Sequence, residues 1–207
     1  MKTSHWLALG GATLVLLYLA SSNNGSSMSS SGPLLRSFNV PRPPSTDESA
    51  RFRAALPGYA QQYAEAMLRV ANDTGVAPEL IFAIGDQETR WGTNPLCKPP
   101  GNACTGDNGH GRGLMQIDDR SNADWLRAND WTDPETNIRR GVQILLGKKA
   151  YLKSRVPADL LPRACVAAYN AGEGNVAKSI AAGEDVDSKT AGRNYSARVL
   201  SSMSTVA

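Results

Sequence analysis

Three acidic residues have the types and the spacing to break a glycosidic bond: Glu88, Asp107 and Asp118. Glu88 lies in Pro78–Trp91, which reads PELIFAIGDQETRW. Leu80, Ile81 and Ile84 mark one face of this stretch at helical spacing. Glu88 follows Ile84 by four residues and therefore shares the apolar stripe, while Asp86 points to the other side. A carboxyl on a core-facing stripe is desolvated and holds its proton more tightly. A general acid working near neutral pH needs that property. The plainer reading is that Glu88 marks where the stripe ends and the surface begins. Asp107 sits in Gly106–Gly113, a run with four glycines in eight positions, which lets backbone approach a ligand closely. Asp118 and Asp119 come shortly after it. One acid that keeps its proton and one carboxylate that stays ionised is the usual pairing for cleaving between sugars. Against this, aspartates also simply cap turns. A phosphate loop is discounted, because its glycines would open a helix after a strand and be followed by Lys-Ser or Lys-Thr.

The elements that must hold these residues read as helices. Pro78 suits the first helical position, where its missing N–H has no partner to lose. Before it, Tyr59, Tyr63, Met67 and Val70 or Ala71 form a helical stripe, with Gly75 as its stop. After Trp91 the pattern breaks into a Gly- and Pro-rich loop. LMQIDD is short and extended, and Asp124–Ala128 predicts a small helix. Asp133-Pro134-Glu135 is a strong helix start with Asp133 as cap, and Ile138, Val142, Leu145, Leu146 and Leu152 are its buried face. Further helices are expected over Leu161–Asn170, ended by Gly172 and Gly174, and over Ser188–Ser202. The class is mainly α, with a small irregular or short-strand segment. Cys97 and Cys104 flank a short loop and are candidates for a disulfide in an exported protein. A metal site using both with His110 lacks a second pair at zinc spacing. Cys165, among Ala164, Val166 and Ala167, reads as a buried thiol.

The chain has 207 residues, 41% hydrophobic, with a formal charge of +3. That suits one domain with extras and a core of ordinary size. The basic residues are scattered and leave no footprint for nucleic acid. Three parts are expected: residues 1–20 as a targeting segment, 21–50 as a linker, and 51–207 as the folded domain. Lys2 precedes the uncharged run Trp6–Ala20, about fifteen residues against the roughly twenty of a spanning helix. It fits a signal peptide, but Tyr18 is bulky where a cleavage site wants a small residue. Extended over its flanking Ser and Thr residues, the run serves as an uncleaved anchor, and the balance tips slightly that way. Both readings put the domain outside the cytoplasmic membrane or at its surface. The linker begins Ser/Gly/Asn-rich and flexible, then stiffens at Pro41, Pro43 and Pro44.

Three segments together resemble one family. They are Glu88 in QETRWG, Arg112–Asp118 in GRGLMQID, and Ala167–Val176 in AAYNAGEGNV. Their order and spacing are similar to the goose-type lysozyme and soluble lytic transglycosylase superfamily over roughly Ala54–Ser202. The resemblance implies a lysozyme-like α-rich fold with peptidoglycan glycan strands as substrate. It implies cleavage of the β-1,4 bond between N-acetylmuramic acid and N-acetylglucosamine, with Glu88 as the acid. It implies a sugar cleft lined by Gly113, Leu114, Met115 and Gln116, faced by Tyr169 and Asn170. Tyr195 resembles, more loosely, a tyrosine near the acid.

Asp107 and Asp118 stand where the goose-type branch carries aspartates, and the transglycosylase branch typically lacks them. The expected mechanism is hydrolysis, with Glu88 protonating the leaving oxygen and Asp118, helped by Asp107, orienting water. No cofactor or metal is required. Trp91 and Tyr169 are candidates to pack on sugar faces, with core packing favoured for Trp91. The alternatives are a transglycosylase giving 1,6-anhydro products and a silent wall-binding module; a binder has no use for a buried acid. The layout suits an exported bacterial or phage enzyme facing the cell wall.

Overall fold

The computed structural model describes residues 44–207. The expected targeting segment and most of the expected linker lie outside the described residues. Among the described residues, no helix is long and apolar enough to cross a membrane. Eight α-helices and one small sheet make up the fold there.

Helix α1 spans Thr46–Ala55 and begins inside the stretch read as linker. The reason is a capping box: Glu48 N–H donates to Ser45 Oγ at 3.2 Å, and Ser45 N–H donates to the Glu48 carboxylate at 2.6 Å. Residues 45–50 are therefore helix and its cap, and Phe52 anchors α1 in the core at 2% exposure. Helix α2 spans Ala64–Thr74 and ends on Gly75, whose φ of 68° is left-handed. Tyr63 stands just before it, in a 3-10 turn.

Helix α3, Pro78–Thr89, is central. Leu80, Ile81, Phe82, Ala83 and Ile84 are all buried, so its apolar surface is met on more than one side. The helix α8 at the C-terminal end, Tyr195–Met203, packs along it. Beyond α3 the chain turns back, and Trp91 stacks between Tyr63 and Phe82, at ring separations of 5.3 and 6.3 Å. Its indole N–H donates to the Phe82 carbonyl at 3.1 Å, so the one polar atom of the ring is satisfied inside the core.

Three two-residue strands follow: β1 (Thr105–Gly106), β2 (Gly111–Arg112) and β3 (Ile117–Asp118). They pair antiparallel in that order, with Gly106 opposite Gly111 and Gly111 opposite Asp118. Helix α4, Asp119–Ala128, starts five residues before the predicted Asp124, because Asp118 caps it by accepting from Arg120 N–H at 2.8 Å. Helix α5, Pro134–Leu152, starts as expected with Asp133 accepting from Thr136 N–H.

Helix α6 spans Leu161–Ala171 and packs against α5. Gly172 ends it, but helix α7 (Glu173–Ala181) begins at the next residue, with Gly174 inside it. Two glycines read as one stop thus form a corner and a helical position. The last helix is shorter than predicted: Gly192 (φ 69°) and Arg193 (φ 54°) keep Ser188–Asn194 out of it.

Candidate active site

Glu88 occupies the last turn of α3. Arg90 ends the helix in a left-handed conformation (φ 48°) without the help of a glycine. The neighbouring Thr89 is buried, and its hydroxyl donates to the Leu114 carbonyl at 2.8 Å, which ties the end of α3 to the β2–β3 turn. That turn is held from beneath by Asn137 of α5. Asn137 accepts from Met115 N–H at 2.8 Å and donates to the carbonyls of Arg112 and Trp131 at 3.1 and 3.0 Å. Gly113 is required here: its φ is +73°, and a Cβ would lie 2.2 Å from Asn137 Nδ2. Sequence reasoning gave Asn137 no part, since a lone Asn one turn into a helix carries no local signal.

The Glu88 carboxyl faces a cavity of about 300 Å³. Gln116, Tyr169, Asn170, Asp107 and Asp118 line the same cavity, together with Arg120 and, at its mouth, Asn94 and Leu96. The phenol of Tyr195, itself 3% exposed, donates a hydrogen bond to Glu88 Oε1. The phenol of Tyr169 donates to the Met115 carbonyl at 2.9 Å, against Gly141, where a Cβ would come within 2.9 Å of that hydroxyl. Burial pushes the Glu88 pKa up to about 7; the Tyr195 hydrogen bond opposes this, and the charge of Asp107 adds to it. Burial and the nearby Glu88 charge raise both tyrosines well above their ordinary value, so they remain neutral donors.

Residues from separated stretches thus meet around the Glu88 carboxyl of α3: Asp107 from the β1–β2 connection, Gln116 and Asp118 from the end of the sheet, Tyr169 from α6 and Tyr195 from α8. The family model described as Lysozyme g matches residues 49–203.

The chain belongs to the lysozyme g family.

It is 29% identical to the lysozyme g of Epinephelus coioides over 143 residues, which covers 67% of this chain and 71% of the fish protein. It is also 38% identical over 98 residues to the membrane-bound lytic murein transglycosylase F of Serratia proteamaculans, and 34% identical over 99 residues to that of Pectobacterium atrosepticum. Those matches cover 47% and 48% of this chain but only 18% of either transglycosylase. The chain is an enzyme of the superfamily that holds lysozymes and lytic transglycosylases.

Within this lysozyme g domain the glycine run, of which Gly106 and Gly111 line the cavity, has a further use besides the expected one. A Cβ on Gly106 or Gly111 would lie 2.3 or 2.2 Å from Gln116 Oε1. The missing side chains make room for Gln116, whose amide donates to the Gly113 carbonyl at 2.8 Å. A run of glycines looks the same in sequence whether a ligand or the chain itself fills the space. Leu114 and Met115, expected to line the sugar cleft, are instead fully buried and do not line the cavity: the Leu114 carbonyl is taken by Thr89, and the backbone of Met115 by Asn137 and Tyr169. Trp91, at 1% exposure, belongs to the core.

The two aspartates are joined by a residue that the sequence did not single out. Arg120 Nη2 lies 2.8 Å from Asp107 and 2.8 Å from Asp118, and its Nε donates to Asp118 at 3.0 Å. These hydrogen bonds hold the Asp118 carboxyl below the usual carboxylate range. Asp119 faces away, paired with His110 and Arg112 at 2.8 and 2.7 Å. Of the aspartates, Asp107 is the one whose charge reaches Glu88. Cys97 and Cys104, weighed as metal ligands with His110, are bonded to each other and line the cavity. Burial pushes the thiol of Cys165 up to about 12, which leaves it inert.

Proposed function

We propose that this lysozyme g domain hydrolyses peptidoglycan between N-acetylmuramic acid and N-acetylglucosamine, with Glu88 as general acid. The observation that carries the reading is a carboxyl with a pKa of about 7 facing an open cavity that also holds Asp107 and Asp118. Near neutrality such a group is about half protonated, where general acid catalysis is most effective. Glu88 gives its proton to the glycosidic oxygen as the bond to the anomeric carbon breaks and the electron pair moves onto that oxygen. Asp107 and Asp118, steadied by Arg120, orient water for attack on the anomeric carbon. Gln116, Tyr169 and Asn170, which line the cavity beside Glu88, seat the glycan strand. The place of action is the cell wall, to which an exported or anchored N-terminal segment would deliver the domain.

One observation favours a second reading. Arg120 already pairs with both aspartates, and a carboxylate held by a guanidinium is a weaker base. Glu88 would then act alone, returning as a base to the sugar's own hydroxyl and giving a 1,6-anhydro product. Digestion of purified wall, read by mass, tests both. Reducing ends support hydrolysis, anhydro ends support the transglycosylase, and no release removes the enzymatic reading.

A further inference from the structure

Tyr195 is the first residue of α8, and what fixes that first turn lies below it. Asp187 is 1% exposed and carries a full set of donors. Ser196 N–H donates to Oδ1 at 2.9 Å and Ser196 Oγ to Oδ2 at 2.5 Å. Arg163 of α6 donates to Oδ2 at 3.2 Å, and its Nε donates to Ser196 Oγ at 3.0 Å. The Thr190 hydroxyl lies 3.2 Å from Asp187 Oδ1 and accepts from Tyr195 N–H at 3.3 Å. The first two backbone N–H groups of α8 are therefore both held by the Asp187–Thr190 pair. Nothing in this cluster touches the cavity, and a buried carboxylate needs such partners to remain charged.

We propose that Asp187, with Arg163, is a positioning residue for Glu88: it fixes the first turn of α8 and so aims the Tyr195 phenol at the catalytic carboxyl. The inference rests on the reading of Glu88 as the general acid. The groups that face Glu88 are Tyr195 from α8, Tyr169 from α6 and Asp107 from the β1–β2 connection. Arg198 acts on Tyr195 from the same helix, and Asp185 shares Arg163 with Asp187.

The sign of the effect separates positioning from simple charge. Deleting a negative charge lowers the pKa of a nearby carboxyl. Losing the Tyr195 hydrogen bond raises that of Glu88, because the bond favours the ionised form. The test is an NMR titration of the Glu88 side-chain carboxyl in the whole chain. Tyr195→Phe moves the midpoint up, and Asp187→Asn moves it up by a smaller amount. In the Tyr195→Phe background, Asp187→Asn moves it no further. A midpoint that stays or falls in folded Asp187→Asn overturns the proposal, as does an equal rise without the phenol. Should Asp187→Asn not fold, Ser196→Ala removes one donor from the carboxylate and carries the same expectation. The titration needs no turnover. Failure of the acid assignment shows separately, as wall digestion that survives Glu88→Gln.

Discussion

Tyr195 and Glu88 stand 107 residues apart in the chain and meet as phenol donor and carboxyl acceptor. Burial alone would lock the proton on Glu88; the phenol stabilises the anion that forms when the proton leaves. The carboxyl is thereby set near 7, between a group that never gives up its proton and one that has already lost it.

Glu88→Gln keeps the shape of the side chain and removes the transferable proton. Wall digestion should fall by about 10²–10⁴-fold, the usual span for a lost general acid. Turbidity of a wall suspension measures it, with circular dichroism as the check on folding. Activity within a fewfold of the parent would remove the assigned role.

The same substitution should stabilise the fold in a pH-dependent way. The folded state holds the Glu88 proton up to about 7, and the unfolded state releases it near the ordinary 4.5. Between those values the folded form binds more protons, so the carboxyl makes stability fall as pH rises. Glu88→Gln removes that loss. Its gain in melting temperature over the parent should grow from about pH 4.5 to about pH 7 and level off above. A gain that is flat across this window would mean that Glu88 titrates normally.

The alkaline limb of activity should lie near pH 7, where Glu88 loses its proton. Asp107→Asn removes a charge that raises Glu88, so the limb should move to lower pH. Asp118 has no comparable reach, and Asp118→Asn should leave the limb in place. Rate profiles against pH for the two variants decide this, and an equal displacement in both would contradict the assignment.

Helix α3 and the start of α5 were legible because their signals are local. Pro78 and the Leu80–Ile84 stripe specify one, and Asp133-Pro134 specifies the other. The three motifs around Glu88, Gly113–Gln116 and Tyr169–Asn170 pointed to one cleft, and the fold brings Glu88, Gln116, Tyr169 and Asn170 to one cavity while burying Gly113–Met115 beneath it. What escaped depends on contacts between distant residues. Arg120 is one exposed arginine among many until Asp107 and Asp118 are brought to either side of it. Gly106 and Gly111 cannot announce that Gln116 fills the space above them. Helix α7 was lost because Gly172 and Gly174 look alike, and only the turn at Gly172 (φ 80°) separates their uses.

The role of the aspartates can be separated from their structural duty. Asn caps a helix about as well as Asp, so Asp118→Asn should spare α4 while it weakens the hold on Arg120. From sequence, the larger loss in rate was expected for Asp118→Asn; the reach of Asp107 to Glu88 moves that expectation to Asp107→Asn. The double variant should approach the rate of Glu88→Gln if these groups orient water, with losses that need not add. An unchanged rate with anhydro-muramyl ends would assign the reaction to Glu88 alone.

The Cys97–Cys104 bond closes a short loop beside the cavity. In the chain-entropy model a loop of that size stabilises by about 2–3 kcal/mol. Reduction should lower activity at temperatures where circular dichroism still reports a folded domain, because Leu96 and the approach to Asp107 loosen first. Loss of activity that coincides with global melting would show that the loop has no separate hold on the cleft.

That loop is also largely self-contained. Gly101 N–H donates to the Gly92 carbonyl at 2.9 Å, the disulfide closes the inner turn, and Tyr63 reaches Asn102 at 2.7 Å from the core side. Leu96 stands 79% exposed at the rim. A lip fastened at its own base can be lengthened, trimmed or exchanged while the helices behind it keep their packing. The rim of the cavity is therefore open to revision by insertion and deletion, independently of the buried carboxyl behind it.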